Sequence, residues 1–167
     1  MILSKSKILE EIKNKRIIIK PFKTTQVGPA SIDLTLDNQF RIFINGKKQV
    51  SIKEKTDYKK YTKLIKRDFV ILEPGQFILG ITKEKIKLPN NICGRLQGRS
   101  RFARLGLGVH INASFISPGI NNKQVLEIKN HSPFPIRLNA NERICQLNLE
   151  RMEGKAKYKG KYQNQKL

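Results

Sequence analysis

The chain has 167 residues, 38% of them hydrophobic, and its Lys+Arg 34 against Asp+Glu 13 give a formal charge of +21. That length and apolar content fit one domain that buries roughly two-thirds of its unfolded surface, which excludes a disordered basic tail. No apolar run approaches the ~20 residues of a membrane span, and Met1-Ile2-Leu3-Ser4-Lys5 lacks the apolar stretch of a secretory leader, so a cytoplasmic protein is expected.

In chain order, Ser4 or Ser6 can cap a short helix whose Ile8, Leu9 and Ile12 share a face and which ends near Asn14. The pattern then turns strand-like in Arg16 to Ile19, Ser31 to Leu36, Phe40 to Ile44 and Phe69 to Leu72, short β-branched runs separated by turn residues. Asn45-Gly46 is a hairpin signal, and Glu73-Pro74-Gly75 and Leu88 to Asn91 are further turns. Lys53 to Arg67 is rich in Lys and Tyr, poorly periodic, and reads as an exposed excursion. Strand rhythm returns in Leu107 to Ile111, Gln124 to Ile128, Ile136 to Leu138 and Ile144 to Leu149. The tail from Gly154 to Gln165 has no apolar period and is not expected to pack by itself. Many short strands with one or two small helices predict an all-β barrel or double-sheet jelly roll.

The positive charge fits a nucleic-acid binder, because lysines that neutralise phosphates release counterions. Here it is spread from Lys5 to Lys166 with few aromatics between, which reads as a solvated surface; nucleic acid is not the expected partner. The same field attracts a nucleoside triphosphate. Cys93 and Cys145 stand far apart among apolar neighbours and read as buried thiols. With no Cys-x-x-Cys and no His-x-Glu, no protein metal site can be written, neither structural zinc nor the zinc-deaminase signature.

Two segments carry chemistry. Gly98-Arg99-Ser100-Arg101-Phe102-Ala103-Arg104-Leu105-Gly106-Leu107 offers arginines, a hydroxyl and free backbone N–H groups at the start of a helical turn, which suits a phosphate chain. Val125-Leu126-Glu127 places one carboxylate after a run of β-formers. Taken singly, Glu127 is an ordinary strand charge, Arg104 a salt-bridge partner, Arg99 a surface charge and the tail a frayed basic end.

Together with Pro29 to Leu34, Glu73 to Gly80, Val109-His110, Ile116 with Pro118-Gly119, and Tyr158 to Gln165, these segments resemble the dCTP deaminase branch of the dUTPase-like superfamily over nearly the whole chain. The resemblance implies a distorted β-barrel, residues 1–154, closed by a C-terminal lid, residues 155–167. It implies a homotrimer with sites between subunits and a magnesium-bound triphosphate substrate. The implied reaction is zinc-independent hydrolysis of dCTP to dUTP and ammonia, on the route to dUMP and dTTP, with dTTP as a feedback inhibitor.

Glu127 matches the family's acid/base. Ser100 matches a group that holds the water or donates toward the pyrimidine, with help from the Ala113 carbonyl; Arg104 is expected beside Glu127, and Arg99 suits the phosphates. Val125 belongs to the substrate motif, and Tyr158, Lys161 and Gln165 match the lid. Ser117 stands where the family has an Asp that contacts the sugar 3′-hydroxyl; a serine keeps a hydrogen bond without the charge. Ile120 and Asn122 replace the aromatic and glycine that usually follow, so sugar packing and the local turn are expected to differ. The same motifs admit a bifunctional enzyme that carries dCTP to dUMP. A dUTPase is less suited, because its glycine-rich C-terminal phosphate loop is missing. A non-catalytic basic nucleic-acid-binding or regulatory module on the same barrel is the more distant alternative.

Overall fold

A computed structural model describes every residue except Asn45, Lys47, Lys48 and Asn164; the Asn45-Gly46 turn, which needs Asn45, lies outside the described residues. The chain opens with helix α1 (Lys5–Lys13), which starts after Ser4 and ends at Asn14 as its sequence predicts. The Ser4 hydroxyl meets that of Ser6 at 3.0 Å and does not cap the helix. Ile8 is buried on the helix's inner face, and Glu11 is held by Arg16 and Arg151, each at 2.7 Å.

There follow β1 (Ile18–Lys20), β2 (Ile32–Phe43), β3 (Thr62–Lys66), β4 (Phe69–Leu72), β5 (Phe77–Lys87) and β6 (Ile92–Gly98). Helix α2 (Ser100–Ala103) is a single turn, and β7 (Leu107–Val109), β8 (Phe115–Ile116), β9 (Asn121–Asn130), β10 (Ile136–Asn139) and β11 (Arg143–Arg151) complete the chain. The strands form a 9-stranded antiparallel sheet in the order β7-β9-β5-β2-β11-β6-β8, with β1 added to β5 and β3 to β2, while β4 and β10 make a separate ribbon. The expected all-β architecture with two small helices is thus observed. Phe40, Ile32, Leu34, Leu126, Ile128 and Leu147, all fully buried, lie at its centre. Cys93 and Cys145 are buried free thiols, and burial pushes both thiol pKa values up. No helix among the described residues is long and apolar enough to cross a membrane.

Three differences from the sequence reading matter for the site. The two runs around Asp37-Asn38-Gln39 are one strand, β2; a register shift between Leu36 and Phe40 absorbs the polar residues as a bulge. The end of the Lys/Tyr-rich excursion is β3, tied to β2 through Thr62, which is buried and accepts from Arg41. The central strand β5 is hidden in the sequence because Ile78 to Thr82 is buried at every position, which erases the alternation that marks a half-exposed strand.

The turn from α2 into β7 depends on Gly106, whose φ is +83° and where a Cβ would lie 2.7 Å from Ser132 Cβ and 2.8 Å from its backbone N. Gly106→Ala is expected to cost about 2–4 kcal/mol, since both the left-handed backbone and the clash oppose it. Chemical denaturation of the variant checks this.

Candidate active site

Strand β9 alternates cleanly: Leu126 and Ile128 go to the core, so Glu127 projects from the opposite face. Across the sheet Leu79 of β5 pairs with Glu127 on one side and with Arg41 of β2 on the other. The carboxylate therefore stands on rigid backbone. The segment after β7 folds over it: His110 N–H donates to the Glu127 carbonyl at 2.6 Å, and Asn112 N–H donates to Glu127 Oε2 at 2.8 Å. His110 holds a left-handed backbone, φ 60°, and its Nε2 meets the Ala113 carbonyl at 2.7 Å, while its buried Nδ1 has no partner.

Glu127 lines a cavity of about 510 Å³, and Ala113, Ser117 and Val125 line it too. Further along the same sheet face the lining is aromatic, with Phe43 and Phe77 in ring contact at 5.5 Å, and Tyr58 lines the cavity too. Burial pushes the Tyr58 phenol pKa up against the pull of Arg41, whose guanidinium lies 5.8 Å from the ring. An apolar wall facing a few polar groups is the usual make-up of a small-molecule site.

The tail, with no apolar period of its own, packs against the barrel. Tyr158 N–H donates to the Pro118 carbonyl at 3.0 Å, and Tyr158 and Gln165 both line the cavity. Asn122 Nδ2 donates to the Tyr162 and Gln163 carbonyls at 2.8 and 3.1 Å, and Gln165 Nε2 donates to the Lys123 carbonyl at 3.0 Å. Leu167 is buried in a small cluster with Leu79 and Ile81. Asn122 sits inside β9 and makes no turn; what stands in the family's glycine position here is an anchor for the tail. Lys161 is exposed and lies outside the cavity lining, with Nζ 5.8 Å from the Tyr162 ring.

The remaining expected residues form a second group. Arg99 donates to the Arg143 carbonyl at 2.7 Å and pairs with Asp33 at 3.0 Å. Ser100 and Arg104 are exposed on and just after α2, and none of the three lines the cavity of its own chain. Among the described residues no ion pair joins Arg104 to Glu127, so the expected contact is not made within one chain, and no residue of α2 lines the Glu127 cavity. Sequence alone assigns no site role to His110, Asn112, Gln124 or Tyr58. Two of them carry a signal: His110 belongs to the Val109-His110 motif, and Tyr58 is an aromatic in an otherwise lysine-rich stretch.

The sequence profile of the dCTP deaminase-like family matches residues 2–152. The chain belongs to this family. Relatives within it include proteins named "dCTP deaminase, dUMP-forming" from Pseudarthrobacter chlorophenolicus, 36% identical over 99% of this chain and 92% of the relative. Those from Corynebacterium kroppenstedtii and Nanoarchaeum equitans carry the same name, at 40% identity over 93% of this chain and 84% of the relative, and at 39% over 91% and 85%. Among solved structures, a 2′-deoxycytidine 5′-triphosphate deaminase from Agrobacterium tumefaciens superposes with a TM-score of 0.69 at 20% identity. The match covers 89% of this chain but 48% of that one, and it shows a shared fold. In this member of the dCTP deaminase-like family, residues of strand β9, His110, Asn112 and Ala113, and the tail residues Tyr158 and Gln165 line one cavity.

Proposed function

We propose that this chain is a hydrolase that takes dCTP to dUMP, first releasing the C4 amino group as ammonia and then cleaving the α–β phosphate link to release pyrophosphate. The observation that carries the first step is Glu127, fixed by Asn112 at 2.8 Å in the wall of a nucleotide-sized cavity. The second step rests on the relatives, which are named dUMP-forming and so favour this reading over a deaminase that stops at dUTP.

In the deamination, water sits between the Glu127 carboxylate and the Ala113 carbonyl, whose oxygen has a second lone pair beside the His110 contact. As the water oxygen bonds C4, Glu127 takes its proton and hands it to ring N3. It then moves the remaining hydroxyl proton to the amino nitrogen, and the C4–N bond breaks with its electron pair leaving on ammonia, so dCTP and water give dUTP and ammonia. Val125 and Ser117 face base and sugar, and the tail residues Tyr158, Lys161 and Gln165 close over the phosphates and exclude bulk water. Ser100, Arg104 and Arg99 enter from a neighbouring subunit of a homotrimer; support for this is that none of them lines the Glu127 cavity of its own chain. There Arg104 would favour the ionised form of Glu127 and Arg99 would use its remaining donors on phosphate.

Among the described residues no group of three or more His, Cys, Asp or Glu side chains could hold a metal, so the donor set fits magnesium carried by phosphate oxygens and water. Such an ion supplies charge neutralisation along the triphosphate. This reading also takes dTTP as a competitor for the same cavity and the cytoplasm as the place of action.

Incubation with dCTP and Mg²⁺ tests the whole reading: ammonia and pyrophosphate are expected in equal amounts, with dUMP as the nucleotide. Ammonia without pyrophosphate would leave the deaminase step alone. Deleting residues 155–167 removes several hydrogen bonds to the barrel, and is expected to weaken nucleotide binding about tenfold or more. The truncated chain should still melt cooperatively; loss of that transition would make the tail part of the barrel's own stability.

A further inference from the structure

One charged feature plays no part in the Glu127 site. Lys20 of β1 pairs directly with Lys85 of β5, and Lys85 pairs directly with Lys123 of β9. Three ammonium side chains therefore stand abreast on three neighbouring strands, a row roughly 10 Å across at ordinary strand spacing. Like charges placed directly opposite one another weaken a strand pair. Lys123 has Asp37 at 2.7 Å, but among the described residues neither Lys20 nor Lys85 forms an ion pair. Both are exposed.

The row borders a second cavity, of about 500 Å³. Lys85, Lys123 and Lys166 line it together with Asn121, Gln39 and Gln165. Three cationic side chains and four amides line it. Lys123 is paired with Asp37, and the Gln165 and Asn122 amides donate to carbonyls of the strand and the tail, which leaves Lys85 and Lys166 as its cations with no ion pair among the described residues. Its size suits a small anion and not a duplex.

We propose that this second cavity binds a small polyphosphate anion, of the size of pyrophosphate or inorganic triphosphate, separately from the nucleotide cavity. The anion supplies the negative charge that the Lys20–Lys85–Lys123 row lacks. Because Gln165 and Asn122 line both cavities, the occupant also presses on the tail that covers the first.

The test is a calorimetric titration of inorganic triphosphate into the full chain at low salt, repeated in a Glu127→Gln variant saturated with dCTP. A binding event that survives dCTP saturation is expected. It should weaken at least about tenfold in the double variant Lys20→Gln/Lys85→Gln, because the Lys85 ammonium that lines the cavity and the Lys20 ammonium on the neighbouring strand are both removed. That variant should melt, without ligand, at or above the temperature of the parent, because a repulsion has been removed. Complete displacement of triphosphate by dCTP, an unchanged affinity in the double variant, or a lowered melting temperature would each overturn the proposal. So would tighter binding of an oligonucleotide of equal phosphate count, which would make the row a nucleic-acid surface. Failure of dCTP to bind would count against the proposed activity, while the lysine comparison in the parent chain would still decide the second site.

Discussion

Glu127→Gln is expected to lower the rate of ammonia release by about 10²–10⁴-fold, the usual weight of a positioned general acid–base group, while dCTP affinity stays within about tenfold. Glutamine has the same length and branching, and its carbonyl oxygen can keep the hydrogen bond from Asn112 N–H that now ends on Oε2 at 2.8 Å. The cavity wall therefore keeps its shape. What disappears is a group that can take a proton from water at neutral pH and return it to nitrogen. Single-turnover product analysis beside equilibrium binding separates the two effects, and normal turnover in this variant would end the mechanism.

The second large effect comes from mixing two inactive proteins. Arg104→Ala alone should be strongly impaired, since the site would lose the guanidinium beside Glu127. If α2 of one subunit completes the cavity of the next, a mixed assembly of Glu127→Gln and Arg104→Ala chains contains sites with both residues intact. Random mixing in equal amounts should restore about a quarter of the parent activity in a cyclic assembly with heterologous contacts. No recovery after dissociation and reassembly would place both residues in the same chain's site, while full activity of Arg104→Ala alone would show that Arg104 has no part in it. Arg104 suits this experiment because it is exposed and lines no cavity of its own chain, so its loss leaves the barrel's packing untouched.

What the sequence makes legible follows its periodicity. Strand β9, with Glu127 between two core residues, alternates cleanly, and α1 carries a spaced apolar face, so both are readable within a residue or two at most ends. Strand β5 is not, because burial on both faces looks like an unpatterned apolar run. The polar bulge at Asp37 to Gln39 imitates a break for the opposite reason: local polarity resembles a turn even when the ladder passes through it. At the site, Glu127, Ala113, Ser117, Val125, Tyr158 and Gln165 converge as the motifs imply. Asn112 and His110 act largely through backbone groups, N–H to carboxylate and N–H to carbonyl, and main-chain donors leave no mark in residue type. Long-range anchoring, such as Asn122 on the Tyr162 carbonyl, is equally silent until the fold brings the partners together.

The tail's attachment to its own barrel has a kinetic corollary. Carried in cis, the cover has an effective concentration set by the short connection from β11 and not by how much protein is present. If α2 of a neighbour completes the site as proposed, dilution that separates subunits strips that contribution away and leaves the cover in place, so two kinds of loss part company along a concentration series.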